Sequence, residues 1–215
     1  MSFKPEPKLR QGCEALGLLL SDLQYQQLLG YMDQLQKWNR VYNLTSVKTT
    51  EQMLTHHVLD CLAVVTPLKE MTPDAKRLLD VGAGGGLPSV VLAIACPSLG
   101  ILAVDAVAKK TAFIQSTAHA LDLHNLQTQH ARVETLDQSF DVVCSRAYAS
   151  LGDFVATSRG CLAESGWWMA MKGQIPQAEI DDLPSDVSVI KTQKLSVPGL
   201  DAQRCLVWMR PKTPC

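Results

Sequence analysis

The sequence predicts an α/β fold with a mostly parallel sheet, an antiparallel last strand and a helical extension at the N-terminus. Apolar stripes at helical spacing fill the first 70 residues, and strand-like runs alternate with helical stretches from residue 77 onward. A glycine cluster separates the first such run from the helix after it. Strands that alternate with helices pair in parallel through right-handed crossovers, which puts the ligand at the carboxyl ends of the strands. We therefore expect a helical segment over 1–70 that packs on an α/β domain over 71–215.

Two helix starts can be placed in the N-terminal segment. A capping-box pattern opens a helix at Ser21, and apolar residues recur along it at steps of three and four: Leu28, Tyr31, Leu35 and Trp38. A second cap at Thr49 precedes another apolar stripe, which we expect to end before Pro67 because proline interrupts a helix. The polar stretch 69–76 then predicts a loop between the two units.

The α/β part gives a clear order of elements. The predicted strands are 77–81, 101–105, 126–130, 141–144 and 167–171, and the helices between them are 89–96, 109–121 and 151–162. A short helix over 177–183 and two β-rich runs, 187–195 and 205–209, follow. Two strands joined by a short loop predict an antiparallel hairpin that completes the sheet.

Composition limits the functions that are open to the chain. Its 215 residues contain no apolar run near the roughly 18 residues of a membrane span, and residues 1–8 lack the apolar core of a secretory signal. A net charge of −1 argues against wholesale coating of nucleic acid and against a DNA partner, although a local basic patch suffices for RNA. The scattered cysteines predict neither disulfides nor a metal site, and they favour the reducing cytoplasm: Cys13, Cys61, Cys96, Cys144, Cys161, Cys205 and Cys215.

The most informative stretch is LLDVGAGGGLP at 78–88, which predicts a buried strand, a glycine turn and a helix start. Glycines permit positive φ and let a ligand lie against the main chain. Nucleotide-binding folds of several chemistries share such a turn. Asp80 separates them, because its carboxylate would repel a dinucleotide pyrophosphate and attract the ammonium and sulfonium of S-adenosylmethionine. We interpret the domain as a Rossmann-like S-adenosylmethionine-dependent methyltransferase with Gly82 and Gly84 at the cofactor.

Later strand ends supply further cofactor candidates. Asp105 follows Gly82 by 23 residues, close to the offset at which an acidic side chain binds a ribose. Val133 and Glu134 follow the third strand, where the main chain would meet the adenine. Ordinary loop or N-cap positions would also explain all three residues.

Arg146 follows the fourth strand, where methyltransferases keep their chemistry, and is a candidate for positioning the reactants. Neither an N-P-P-Y-type tetrapeptide nor a Pro-Cys pair is present, and the catalytic residues stay unknown. A ring nitrogen such as guanine N7 loses no proton on methylation, so alignment alone supplies most of the catalysis. The missing base therefore favours a ring-nitrogen acceptor. Candidates for RNA contact, which could equally be solvated charges, are Arg40, Lys109, Lys110, Arg132 and Lys172.

Two polar groups in the helical segment have open roles. Asn39 and Asn43 lie one helical turn apart beside aromatic residues, and a helix C-terminus capped by Asn43 is the simpler interpretation. His57 with Asp60 is either structural or catalytic, and nothing nearby suggests a metal.

Together these segments resemble the glucose-inhibited division protein B family, the ribosomal small-subunit RNA methyltransferases G. The matching elements are Lys37-Trp38-Asn39, Tyr42-Asn43-Leu44-Thr45, His57, Leu59-Asp60, the turn from Asp80 to Pro88, Asp105, Lys109, Arg132-Val133-Glu134, Ser145-Arg146-Ala147 and Lys172-Gly173. The resemblance implies methylation of guanine N7 in the decoding-region loop of 16S rRNA, free or in the small subunit, with S-adenosylmethionine as donor. It also implies cofactor contacts at Gly82, Leu87, Val133, Glu134 and Arg146.

Three other functions remain open at this point. A methyltransferase that acts on a small molecule or a protein would use the same cofactor. A nicotinamide-dependent oxidoreductase is disfavoured by Asp80. A non-catalytic RNA-binding protein that retains the fold is disfavoured by the intact glycine turn and by Asp105.

Overall fold

The computed structural model describes residues 3–212. Its helices are α1 (Pro5–Ala15), α2 (Asp22–Tyr42), α3 (Thr50–Met53), α4 (Asp60–Leu62), α5 (Val65–Met71), α6 (Ser89–Ala95), α7 (Ala108–Ala120), α8 (Leu151–Ser158) and α9 (Gln177–Asp181). A π-helix (Leu54–Leu59) joins α3 to α4, and two 3-10 turns are Val133–Thr135 and Arg159–Cys161. The strands are β1 (Arg77–Val81), β2 (Gly100–Asp105), β3 (Leu126–His130), β4 (Phe140–Arg146), β5 (Leu162–Lys172), β6 (Val187–Leu195) and β7 (Arg204–Pro211).

The seven strands form one sheet in the order β3-β2-β1-β4-β5-β7-β6. The pairs among β1 to β5 are parallel, whereas β7 runs antiparallel to both β5 and β6. The predicted α/β class and the antiparallel last strand are therefore confirmed. Because the strand order reverses between β1 and β4, the crevice at their carboxyl ends is where a fold of this kind binds its ligand.

The two faces of the sheet are covered by different helices, as the alternation of side chains along a strand requires. Leu78 belongs to a hydrophobic cluster shared with α2, α6, α7 and the π-helix. Leu79, its neighbour on β1, belongs to the opposite cluster with α8. Polar contacts also tie α2 to the sheet domain, since the side-chain amides of Gln24 and Gln27 donate to the carbonyls of Ile94 and Leu121.

Two expectations for the N-terminal segment are wrong, and one helix was missed. Helix α1 was not predicted, because two prolines and a glycine hide its pattern. Helix α5 continues through Pro67, which lies in its first turn, where a backbone N–H has no partner within the helix anyway. The loop expected over 69–76 begins only after Met71. The division at residue 70 stays a prediction, and α5 spans it.

Over residues 3–212, no helix is long and apolar enough to cross a membrane. The six cysteines in that range are free thiols, and the same residues contain no cluster of three or more side chains that could hold a metal ion. Cys215 lies outside the described range. So do residues 1 and 2, which belong to the stretch 1–8 that was considered for a secretory signal.

Candidate functional site

The turn after β1 needs glycine at three positions. Gly82, Gly84 and Gly86 have φ of +68°, +58° and +80°, a region that other residues rarely occupy. The N–H groups of Gly82 and Ala83 both donate to the carbonyl of Val104, at 2.9 and 3.1 Å, which holds the turn against β2. A Cβ added at Gly82 would lie 2.5 Å from the ring of Tyr148. Main-chain hydrogen bonds therefore hold the turn in its shape.

Helix α2 supports this turn from below. The buried Tyr31 hydroxyl donates to the carbonyl of Gly85 at 2.6 Å, and a Cβ at Gly85 would come within 3.2 Å of the Leu35 side chain. Tyr31 and Leu35 were predicted only as parts of an apolar stripe. Tyr31 also donates a hydrogen bond to the Gly85 carbonyl, which would otherwise be unpaired in the core.

Asp105 joins the turn to the end of β2. One carboxylate oxygen accepts the Gly84 N–H at 3.0 Å, and the other accepts the Val107 N–H at 2.9 Å. Lys110 lies 3.5 Å from the first oxygen. The carboxylate is almost fully buried at the position predicted for the ribose contact.

A cavity of about 370 Å³ opens over this turn, and we call it the turn cavity. It brings together four predicted cofactor residues, Gly82, Asp105, Val133 and Glu134, and two predicted RNA residues, Lys110 and Arg132. The lining is completed by Val81, Val104, Ala106, Ala131, Ala147 and Tyr148. Its position at the carboxyl ends of β1 and β2 matches the expectation from the fold.

Asp80, Gly84 and Leu87 of the glycine motif are absent from the lining of the turn cavity. The Leu87 side chain is buried in the core, and its N–H donates to the carbonyl of Ala83 at 3.2 Å. Asp80 is fully buried, and its carboxylate accepts the Ser89 N–H at the start of α6 at 3.1 Å. Burial raises the pKa of Asp80 to about 6. The expectation that this carboxylate faces the cofactor is therefore wrong, since it holds α6 against β1 instead.

Arg146 lies in a second cavity of about 420 Å³, which we call the arginine cavity. The lining residues are Val47, His56, His57, Asp60, Arg146, Ala147, Met171, Lys172, Gly173, Leu195, Arg204 and Cys205. Ala147 lines both cavities and has a φ of +55°, which is uncommon for a residue with a Cβ. Arg146 thus lies in a different cavity from most of the other predicted cofactor residues, and Ala147 is the residue that the two cavities share.

The guanidinium of Arg146 is held on two sides. One of its nitrogens donates to Asp60 at 3.0 Å and to the carbonyl of His56 at 3.1 Å. The other carboxylate oxygen of Asp60 accepts from Nε of Arg204 at 2.9 Å. Sequence reasoning did not find Arg204, because 144 residues separate it from Asp60 and no local pattern marks it.

His57 is buried beside Arg146 as a neutral imidazole. Burial and then the charge of Arg146 lower its pKa to about 4. Its Nδ1 lies 2.8 Å from the carbonyl of His56, which assigns the proton to Nδ1, and the Thr45 hydroxyl then donates to Nε2 at 2.6 Å. A π-helix presents both histidines, and such helices are frequent at functional sites.

The W-N-x-x-x-N-L-T element builds the loop that carries Thr45. Asn43 ends α2 in the left-handed conformation, which confirms it as the C-cap. The Asn39 side chain accepts the Thr45 N–H at 2.8 Å and donates to the carbonyl of Val47 at 3.2 Å. The element therefore positions a loop whose Thr45 contacts His57, and Asn39 and Asn43 have different tasks.

The predicted RNA-contacting residues do not form one patch. Arg132 and Lys110 line the turn cavity, where Lys110 pairs with Asp105. Lys172 lines the arginine cavity and pairs with Glu179 at 2.7 Å. The other two, Arg40 and Lys109, are exposed on α2 and α7.

The sheet order, the glycine turn and the acidic residue at the end of β2 define a Rossmann-like methyltransferase, a class that uses S-adenosylmethionine. Two solved structures share the fold. Ribosomal protein L11 methylase from Lactobacillus delbrueckii subsp. bulgaricus has a TM-score of 0.54 over 78% of this chain and 81% of its own, at 15% identity. TrmN from Thermus thermophilus has a TM-score of 0.55 over 74% of this chain and 53% of its own, also at 15% identity. Sequence identities of 15% support a shared fold and not a shared function.

The family is defined by sequence. The family model of GidB, rRNA small subunit methyltransferase G, matches residues 24–207, and the chain belongs to this family. A protein named ribosomal RNA small subunit methyltransferase G from Acidovorax sp. (strain JS42) is 54% identical over 96% of this chain and 95% of its own length. A protein of the same name from Polaromonas naphthalenivorans (strain CJ2) is 52% identical over 94% of both.

Proposed function

We propose that this protein methylates N7 of a guanine in the decoding-region loop of 16S rRNA, with S-adenosylmethionine as the methyl donor. Family membership and the names of relatives that share half of its residues support an rRNA substrate. The observation that carries the choice of a ring nitrogen is the state of the arginine cavity. Its two buried titratable side chains, His57 and Asp60, are already engaged with neighbouring groups, so neither is a free base.

Both ring nitrogens of His57 lie within hydrogen-bonding distance of Thr45 and His56. Both carboxylate oxygens of Asp60 accept from arginines. For His57 or Asp60 to take a proton from an exocyclic amine, that side chain would first have to be released from these contacts. Guanine N7 has an in-plane lone pair and no proton to lose, so it needs positioning only.

The turn cavity fits the cofactor. S-adenosylmethionine supplies an electrophilic methyl group on a sulfonium. The main chain at Gly82 and Gly84 would lie against it, and the carboxylate of Asp105, with lone pairs left beyond its two backbone bonds, would accept from the ribose. Main-chain groups of Val133 and Glu134 would meet the adenine edge. Leu87 would contribute from the core side, by supporting the turn.

Arg146 is proposed as a positioning residue. Its planar guanidinium is fixed by Asp60 and by the His56 carbonyl, and it lies next to Ala147, where the two cavities meet. A cation fixed in this way can orient a bound group without first losing side-chain freedom. Arg132 and Lys110 would serve the cofactor side, and Lys172 the RNA side.

The test is methyl transfer in vitro. The purified protein is incubated with methyl-labelled S-adenosylmethionine and small ribosomal subunits from cells that lack it, and the product is mapped by mass spectrometry of 16S rRNA fragments. We expect one N7-methylated guanine in the decoding-region loop. A labelled adenine, cytosine or exocyclic amine would refute the choice of atom. Absence of any label in rRNA would favour a small-molecule or protein substrate, or a non-catalytic protein.

A further inference from the structure

The charges around Asp60 do not balance. This carboxylate is almost fully buried and is shared by Arg146 and Arg204, at 3.0 and 2.9 Å. Lys172, the other cation of the arginine cavity, has its own partner in Glu179. His57 is neutral. Two guanidinium charges therefore meet one carboxylate, and the described residues of this cavity supply no second anion.

Within the described part of the chain, both arginines keep unused donors, and the slightly more exposed of the two is Arg204. Its Nε donates to Asp60 and one terminal nitrogen donates to the carbonyl of Gln203, while the other terminal nitrogen has no acceptor among residues 3–212. Its side chain is 24% exposed. A cation that is largely removed from water and only half paired favours an anionic ligand, and the planar guanidinium fork matches a phosphate well.

We propose that Arg204 binds a phosphate oxygen of the RNA, at the nucleotide that enters the arginine cavity. The proposal rests on the proposed function, because it takes the RNA to be the substrate. Arg204 begins β7, and the next residue, Cys205, pairs with Lys172 at the carboxyl end of β5. Arg204 thus stands at the edge of the sheet where the substrate must approach.

The cofactor carboxylate is a poorer match for Arg204 than a phosphate. Strand β7 is three positions from β1 in the sheet, which at the usual spacing puts its backbone roughly 14 Å from the glycine turn. The arginine cavity shares only Ala147 with the turn cavity. The RNA phosphate is therefore the anion that the placement favours, and Asp60 sets the orientation of the arginine that receives it.

The salt dependence of RNA binding tests this assignment on the full-length protein. Affinity for small ribosomal subunits from cells lacking the methyltransferase is measured at constant magnesium over a fourfold range of salt. Loss of one single-strand phosphate contact reduces the salt slope by about 0.7 log unit per log unit of salt. Over the fourfold range of salt, the fold-decrease in RNA affinity should therefore be about 2.6 times smaller for Arg204→Gln than for wild type. Arg204→Lys retains the charge and should keep the wild-type slope.

Two controls separate this effect from others. Arg159→Gln removes an arginine that pairs with Asp186 before the start of β5, at the opposite edge of the sheet, and should leave the slope unchanged. Calorimetry should give the same S-adenosylmethionine affinity for Arg204→Gln and wild type.

An unchanged salt slope in Arg204→Gln would overturn the inference, as would a loss of cofactor affinity with RNA binding intact, because the anion would then be the cofactor carboxylate. A slope that falls equally in Arg204→Lys would overturn it too, since fold damage rather than charge would explain both variants. The proposed function fails in a different way, namely when the wild-type protein leaves 16S rRNA unmethylated.

Discussion

Replacing His57 by glutamine should make the fold less sensitive to acid. Burial and the charge of Arg146 lower the pKa of His57 from 6.5 to about 4. Between pH 6.5 and 4, His57 is therefore protonated in the unfolded chain but not in the folded protein. The free energy of unfolding falls as the pH falls through that window. Each tenfold change in proton affinity corresponds to about 1.4 kcal/mol, so His57 should cost about 3 kcal/mol of unfolding free energy on acidification.

Urea unfolding followed by circular dichroism, from pH 7.5 down to pH 4, measures this effect. The stability of wild type relative to His57→Gln should fall by about 3 kcal/mol over the window. Asp80→Asn should show the opposite sign. Burial raises the pKa of Asp80 from 3.8 to about 6, so the folded protein holds that proton more tightly, and wild type should gain about 3 kcal/mol relative to Asp80→Asn as the pH falls from 6 to 3.8.

The two contributions oppose each other, and wild type alone would show little slope from this pair. The difference curves separate them. If wild type and His57→Gln lose stability in parallel, His57 takes up its proton in the folded state and the charge of Arg146 does not act on it. His124→Gln is the matched control, because its side chain is 88% exposed, and its curve should follow wild type.

Three further substitutions test the turn and the arginine. Tyr31→Phe leaves the buried Gly85 carbonyl without its donor and should lower the unfolding free energy by about 1–3 kcal/mol in urea titrations. Gly82→Ala forces a Cβ toward Tyr148 at a φ of +68°, and calorimetry should detect no S-adenosylmethionine binding. Arg146→Lys keeps the charge but loses the fork, so kcat on small subunits should fall roughly 10- to 100-fold with an unchanged circular dichroism spectrum.

Each of these has a control in the chain. Tyr42→Phe changes an exposed tyrosine at the end of α2 and should retain wild-type stability. Gly173→Ala adds a Cβ with no atom within 4 Å and should bind the cofactor normally. Wild-type stability in Tyr31→Phe would mean that the hydroxyl does not support the turn. Full activity in Arg146→Lys would reduce the arginine to a simple charge.

Most of the sheet could be predicted because its signals are local. Strands β1, β3 and β6 have the predicted limits, and β2 begins one residue earlier than predicted. A buried strand is a short apolar run between turn residues, and it needs no knowledge of its partners. Helix α1 lacked such a signal, since Pro5, Pro7 and Gly12 occupy a helix whose apolar face is narrow.

The site residues also differ in whether a local sequence signal marks them. The glycine turn and Asp105 are recognisable from local sequence, and the structure brings Gly82 and Asp105 together in one cavity. Asp80 was misjudged because a strand end alone does not tell which way a carboxylate points, and here it points at α6. The link from Asp60 to Arg204 depends on β7 folding back beside β5, which is a fact of topology rather than of local pattern.

The π-helix Leu54–Leu59 has a consequence for the length of the chain. Such a segment contains one residue more than a regular α-helix would need, while the helical turns on either side keep their phase. Deleting Thr55 should therefore straighten the helix and leave Asp60 in place. The His56 carbonyl, which accepts from Arg146 at 3.1 Å, would then belong to the regular i to i+4 ladder. The extra residue of the π-helix thus distinguishes a helix that only packs on the core from one whose backbone also binds Arg146.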